Sequence, residues 1–407
     1  MKRFNFLILF SLVLLSTLST TAQDDFKLIE PIIETAPMNF RQAQAYSSEP
    51  TFLNWGIKKT GLDSIMKSYN GEGVVICICD TGRPTHKKLS QSKMSANFTD
   101  DKSDKDGNGH STHVSGIIHE IAPKSNLIFA KVLSDQGGGS SEGVANGIRW
   151  CVNSQAKIIN MSLGSPVPNE EIKRAIDYAT ERGAIIIAAA GNEGKNEAED
   201  NIGYPALYKD VVCVGSINQD SQVSIFSSSG EGGDVVAAGE RILSTYGENT
   251  YRVLSGTSMA APFVSGVAAL FLQKNKTTDG MKNLLAEWST DFEPIGYDRH
   301  NFYGHLDPIA FMDVEVKEPI EELPEQEMTG GNNQLILFIG VGVAIALGLL
   351  YFHSQGKFKS EQKKTYFNIG DEIWKWDYNE WVEIMVNESN IEEVNTDPVK
   401  YRWEKPE

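Results

Sequence analysis

The chain has no surplus of basic residues. Its 37 lysines and arginines face 54 aspartates and glutamates, a formal net charge of −17. That excludes nucleic acid as an expected partner, because phosphate binding needs a basic surface; the plain reading of the acidity is a solvated exterior. Cysteine is scarce too. Cys77, Cys79, Cys151 and Cys213 sit inside apolar runs (VVICICD, IRWCVNS, VVCVG), and four cysteines so placed make neither a disulfide framework nor a zinc site. Cys77 and Cys79 are two apart on a predicted strand, so they share a face and do not bridge each other. All four are expected as buried free thiols. No internal repeat is visible. What is present is a 41% hydrophobic fraction, globular rather than disordered. The 36 glycines imply many tight turns, and 407 residues suffice for one large domain or two ordinary ones.

Two segments stand apart from the fold. Residues 1–22 have a basic start, an apolar stretch and small residues up to Ala22. They read as a secretory signal cleaved before Gln23, with an uncleaved anchor as the alternative. Within 334–353, Leu335 to Phe352 is apolar without a charge; at ~1.5 Å per residue it just spans a hydrocarbon core of ~30 Å. The preceding linker, 313–333, is acidic, whereas Lys357, Lys359, Lys363 and Lys364 follow. The positive-inside rule then places the C-terminus in the cytoplasm and agrees with export of everything upstream. The expectation is a single-pass protein of the cell membrane with its main domain outside; a buried helix in a secreted protein is the alternative. The tail, 354–407, carries Trp374, Trp376, Trp381 and Trp403 among many acids, as a small β unit or a segment that orders on a cytoplasmic partner. Residues 23–50, with Pro31, Pro37 and Pro50, read as an arm or short pro-segment.

Over 51–312 short apolar runs alternate with helical stretches. VVICICD, NLIFAKVL, KIINMSLG, AIIIAAAGN and DVVCVGSIN read as buried strands; STHVSGIIHEIA, SSEGVANGIRWCVNS and NEEIKRAIDYATERG read as helices. Near-continuous apolar strands between helices predict an α/β fold, a doubly wound parallel sheet with helices on both faces.

Functional groups gather at the carboxyl ends of the strands of such a sheet. Asp80 ends VVICICD, and Asn192 follows AIIIAAA between Gly191 and Gly194. His110 opens a helix after the run DDKSDKDGNG, and Ser258 sits where a glycine turn meets a long apolar helix. That helix start offers free N–H groups to a developing anion, and Pro262 is expected in its first turn or so, where a lost N–H matters least. A serine hydroxyl needs a base to take its proton, and the base needs a carboxylate to hold its tautomer. The chain order Asp, His, Ser is one known solution, and an Asn side chain beside a backbone N–H can receive the oxyanion.

With these pieces the sequence resembles the subtilase (subtilisin-like) family of serine peptidases. DTG at Asp80, GHSTHVSG around His110, NMSLG at Asn160 to Gly164, AAAGNEG around Asn192, YPA at Tyr204 and GTSMAAP around Ser258 follow the family's order over roughly 52–308. The resemblance implies an endopeptidase in which Asp80 orients, His110 is base then acid, Ser258 attacks and Asn192 is the oxyanion donor. It further implies that Ser162, Leu163 and Gly164 pair with an extended polypeptide substrate. Ala189, Ala190 and Gly191 would wall the pocket before the cut, with Glu193 at its rim, and the loop 134–143 would border a more distant pocket. No cofactor is required and no metal ligand is assigned.

The sequence departs from the family in three places. Ser111 replaces the glycine usual after the catalytic histidine. The calcium loop that interrupts the helix after that histidine in many subtilases is missing. The pro-segment is short. The run Asp100 to Asp106 fails the EF-hand pattern, since Lys102 and His113 would fall on ligand positions; a solvated loop is expected, with structural calcium as the alternative. His86, His113, His119, His300 and His305 read as packing or surface residues. The competing function is a catalytically inert subtilase-fold binding or signalling module.

Overall fold

The computed structural model describes residues 26–47, 54–89, 94–194, 200–291 and 295–313, and the backbone of three strands between 366 and 384. The predicted signal (1–22), the apolar run 335–352 and most of its acidic linker lie outside the described residues. Among the described residues no helix is long and apolar enough to cross a membrane. The chain divides into two compact units, Met1–Glu318 and Pro319–Glu407.

In chain order the first unit opens with β1 (Phe26–Leu28), β2 (Ile32–Ile33), α1 (Phe40–Tyr46), α2 (Trp55–Lys59) and α3 (Leu62–Ile65). Then come β3 (Val75–Asp80), β4 (Ser95–Asn97), α4 (His110–Ile121), β5 (Asn126–Lys131), β6 (Gly138–Gly139) and α5 (Ser141–Asn153). β7 (Ile158–Met161), β8 (Leu163–Gly164), α6 (Glu170–Thr180), β9 (Ile185–Ala189), β10 (Val211–Ile217) and β11 (Val235–Ala238) follow. The unit ends with β12 (Ile242–Tyr246), β13 (Thr250–Ser255), α7 (Thr257–Asn275), α8 (Met281–Glu287), β14 (Ser289–Thr290), β15 (His305–Leu306) and α9 (Pro308–Asp313). In the second unit β16 (Tyr366–Ile369), β17 (Glu372–Asp377) and β18 (Glu380–Ile384) form an antiparallel meander.

A nine-stranded sheet in the order β14-β15-β11-β10-β9-β7-β3-β5-β4 organises the first unit. Its pairs are parallel except β14 on β15 at one edge. After β3 the chain goes out to the edge strand β4, comes back to β5 beside β3, then crosses to the other side of β3 with β7, so the reversal point lies at the carboxyl ends of β3, β5 and β7. Helices cover the sheet, α4 beside α7 and α5 beside α6. This coverage explains the unbroken burial of β7, β9, β10 and β11. α6 shows the amphipathic version: Ile172, Ala175, Ile176 and Ala179 form its buried stripe. Its cap, Asn169, accepts N–H bonds from Glu171 and Ile172 at 2.8 and 3.2 Å, and Gly183 (φ 69°) terminates it in the left-handed region. α7 is apolar all round and buried from Thr257 to Leu272, the central rod of the core.

One expectation is corrected here. Cys77 and Cys151 are joined in a disulfide, with Cα atoms 5.6 Å apart and a separation of 74 in sequence, while Cys79 and Cys213 are free and buried as expected. The shared face of Cys77 and Cys79 does prevent them from bridging each other. It also turns both toward α5, whose Cys151 approaches Cys79 Sγ to 3.4 Å as well. Thiol titration in denaturant without reductant is therefore expected to find two thiols, from Cys79 and Cys213. Reduction should lower the melting temperature, consistent with a cross-link worth about 2–4 kcal/mol; four thiols before reduction would remove the bridge.

Candidate active site

Asp80 ends β3 fully buried, and the chain turns at once through Thr81 and Gly82. Gly82 (φ 127°) is required there, since a Cβ would lie 2.7 Å from the carbonyl oxygen of Asp104. His110 is the first residue of α4, entered through Gly109 (φ 99°), where a Cβ would meet the Tyr246 ring at 2.6 Å. These turns bring His110 Nδ1 to 2.9 and 3.0 Å from the two oxygens of Asp80. With an acceptor-only carboxylate at Nδ1 the proton sits on that nitrogen, and Nε2 is left as the basic atom. Nε2 is buried without a hydrogen-bond partner among the described residues. Burial opposes a charge on His110, but the Asp80 carboxylate, with Asp106 and Glu30 nearby, outweighs it and holds the imidazole above its ordinary 6.5.

Ser258 is the second residue of α7, following the turn at Gly256. Pro262 is not in the first turn as expected but one turn further in. The N–H it lacks would have bonded the Ser258 carbonyl. Ser162 Oγ takes that place and donates to Ser258 O at 3.2 Å. Asn160 Nδ2 in turn donates to Ser162 Oγ at 3.2 Å, and Ser265 Oγ donates to Asn160 Oδ1 at 3.0 Å. Asn160 was not singled out as a site residue from the sequence; its signal lay in NMSLG, ahead of the segment Ser162 to Gly164.

Asn192 follows β9. Its Oδ1 accepts from both the N–H and the hydroxyl of Thr257, each at 3.0 Å. That fixes the amide with its Nδ2 toward the groove, where it donates to the carbonyl of Glu30 at 2.9 Å. Gly191 (φ 123°) packs where a Cβ would meet Ser228 Oγ at 2.6 Å. Ala190 is buried at the base of this turn and Glu193 is exposed at its outer side. Ser111, the departure beside His110, uses its backbone N–H to reach Thr81 Oγ1 at 3.1 Å. Its own hydroxyl is buried without a partner among the described residues, so no site contact depends on that side chain.

The arm read from residues 23–50 lies in the groove, a placement that composition does not signal. β1 pairs antiparallel with β8 (Lys27 opposite Gly164, Leu28 opposite Leu163) and with β6 (Phe26 opposite Gly139, Lys27 opposite Gly138). The arm is thus the middle strand of a three-stranded sheet between two rims, and Leu28 N–H donates to Gly137 O at 2.8 Å. The pleat buries Phe26 and Leu28 and exposes Lys27. Ile29 then passes Gly164 and presents its carbonyl to Ser258 Oγ at 3.2 Å. Beyond it, β2 pairs with β13, and Glu34 accepts from Ser255 Oγ at 2.7 Å and meets Arg241 at 3.4 Å. Residues 26–34 therefore cross the whole site.

The acidic run is not simply solvated. Asp104 bonds Arg83 at 2.8 Å, Asp101 lies 3.1 Å from the Nζ of fully buried Lys131, and Asp106 caps the start of α4. α4 runs unbroken, without an inserted loop. His113 is buried within it and bonds the carbonyls of Ile242 and Arg252 at 3.2 and 3.0 Å, the packing role expected.

Known proteins share this fold. Residues 71–299 match the subtilase family of peptidases. The chain is 37% identical over 262 residues to M-protease of Shouchella clausii (strain KSM-K16), covering 61% of this chain and 67% of that protein. It is 38% identical over 231 residues to subtilisin Savinase of Lederbergia lenta, covering 54% of this chain and 84% of that one. Among solved structures, fervidolysin from Fervidobacterium pennivorans, described as a keratinolytic enzyme related to subtilisin, superposes with a TM-score of 0.61 at 26% identity. That match covers 72% of this chain and 52% of the other.

The two histidines of α4 should titrate far apart. NMR of ring nitrogens is expected to show His110 protonating above 6.5 and His113, neutralised by burial, only near about 3. Because Asp80 raises the first value, Asp80→Asn should bring it down.

Proposed function

Because the chain belongs to the subtilase family and is a subtilisin-like serine peptidase, we propose that it cuts polypeptides through an acyl-enzyme on Ser258. In this reading His110 Nε2 takes the Ser258 proton as the hydroxyl attacks the carbonyl carbon, and Asp80 stabilises the imidazolium that forms. Asn192 Nδ2, with a backbone N–H at the start of α7, receives the oxyanion. The imidazolium then gives its proton to the leaving amine, and water repeats the sequence on the ester. The observation that carries the reading is the strand already in place: Ile29 offers a peptide carbonyl to Ser258 Oγ while its neighbours are paired with both rims of the groove.

The same observation implies restraint. Ser258 donates to the Ile29 carbonyl rather than to His110, and Asn192 holds the next carbonyl, of Glu30. Residues 26–34 act as a strap that must leave before another peptide can enter. Burying Phe26 and Leu28 contributes on the order of 4 kcal/mol to holding it. The catalytic unit is proposed to lie outside the cytoplasmic membrane, tethered by 334–353; what supports this is the apolar run and the charge asymmetry of its flanks.

Fluorophosphonate is expected to label the wild type and not Ser258→Ala; folded wild type left unlabelled overturns the peptidase reading. Leu28→Asp, which puts a charge in a buried strap position, should raise the labelling rate about tenfold as the open fraction grows. For the tether, protease added to intact cells should reach the catalytic unit, and full protection would place it inside.

A further inference from the structure

The base is placed where a cation is least welcome. His110 is the first residue of α4, at the positive end of the helix dipole, which opposes an imidazolium. One carboxylate outside the proposed triad answers this. Asp106 Oδ1 accepts N–H bonds from Asn108 at 3.1 Å and Gly109 at 2.8 Å. Its Oδ2 accepts from the Thr112 N–H at 2.8 Å and the Thr112 hydroxyl at 2.6 Å. These are donors of the turn before α4 and of its first turn, the free donors that every helix start leaves. On the other side, Thr81 Oγ1 lies 2.9 Å from Asp106 Oδ1 and 3.1 Å from Asp80 Oδ1, while it accepts the Ser111 N–H. The Thr81 hydroxyl has one proton to share between two carboxylates. Asp106 thus ties the end of β3, which carries Asp80, to the start of α4, which carries His110.

We propose that Asp106 is a positioning residue for the reaction, fixing Asp80 through Thr81 and His110 through the first turn of α4, and supplying the negative charge that lets His110 carry a proton at a helix N-terminus. The inference rests on the peptidase reading. The charged and titratable groups around His110 are Asp80 on β3, Asp106 before α4, Glu30 of the strap and His113 one turn further along α4. The ammonium of Lys131 is turned to the Thr81 carbonyl, Asp135 and Asp101. Among the described residues no hydrogen bond or ion pair joins Asp106 to β1 or to the rims β6 and β8, so its loss should act on the base and not on peptide binding.

The test follows the second-order rate of fluorophosphonate labelling of the full chain against pH, since a small probe does not depend on the peptide subsites. Asp106→Asn preserves shape and removes the charge. The rate is expected to fall about tenfold, and the acid limb, which reports the His110 imidazolium, should move to lower pH by on the order of half a unit. Thr81→Val cuts the link to Asp80 but keeps the Asp106 charge, so it should lower the rate without moving the limb. A merely structural role would lower the rate of Asp106→Asn with its limb in place, and that result overturns the proposal. If Asp106→Asn does not fold, Thr81→Val decides: an unchanged rate sinks it. A wild type that is never labelled would instead overturn the peptidase reading itself.

Discussion

A carboxylate and an imidazole can share a dry site only if each supplies what the other loses on leaving water. In the Asp80–His110 pair the side-chain exposures are 0% and 1%, and losing either partner would leave the other uncompensated. The pair alone would not suffice, because a carboxylate has more acceptor positions than one Nδ1–H can satisfy. The Thr81 N–H donates to Asp80 Oδ1 at 2.7 Å, and the carbonyl of that same residue is held at 2.6 Å by the buried ammonium of Lys131. Lys131 ends β5, next to β3, so it is the order of strands at the carboxyl edge that brings the ammonium under the turn. Strand end, turn and helix start behave as one polar network, and such a network is rigid only when every member is satisfied.

The serine side of the site meets the opposite problem. α7 is buried and apolar, so its start has few polar neighbours with which to satisfy free backbone groups. Thr257 solves part of this by giving its N–H and hydroxyl to Asn192 Oδ1, which also settles which end of that amide faces the groove. Pro262 adds a further free acceptor at Ser258 O, and Ser162, Asn160 and Ser265 close it. Ser162, which precedes β8 on the rim, is therefore the same residue that braces the start of α7 at Ser258. The rim and Ser258 are thereby tied together.

Much of this was legible in the sequence. VVICICD, NLIFAKVL, KIINMSLG, AIIIAAAGN and DVVCVGSIN carry β3, β5, β7, β9 and β10, because a parallel strand buried on both faces must be apolar throughout. Asp80 and Asn192 stood out as polar residues ending such runs. The hairpin of β12 and β13 was not legible, since it mixes Ser, Thr, Tyr and Arg with its apolar residues although most of it is buried. The Cys77–Cys151 bridge was missed because periodicity tells which face a cysteine takes and not which distant helix lies under it. β6 and β8 are two residues each, too short to show a period, and the strap that joins them is defined by pairing over more than 100 residues of sequence. Pro262 was placed a turn too early: its tolerance comes from a partner supplied by another segment, not from its position.

The strap brings both halves of the site into one argument about energy. An enzyme gains rate only from contacts stronger in the transition state than before it. Under the proposed roles, Ser258 Oγ and Asn192 Nδ2 are meant to converge on one reacting carbonyl, the first as nucleophile and the second as donor to its oxygen. Here they are divided between two successive carbonyls, Ile29 and Glu30. Each bond made this way stabilises the unreacted strand and is lost when either group moves to its catalytic position. The pairing with β6 and β8 on one side, and with β13 and the Glu34–Arg241–Ser255 clasp on the other, favours this arrangement on both flanks of the bond. Tight binding of residues 26–34 is thereby ground-state binding, and it opposes cleavage of the segment that the groove holds best.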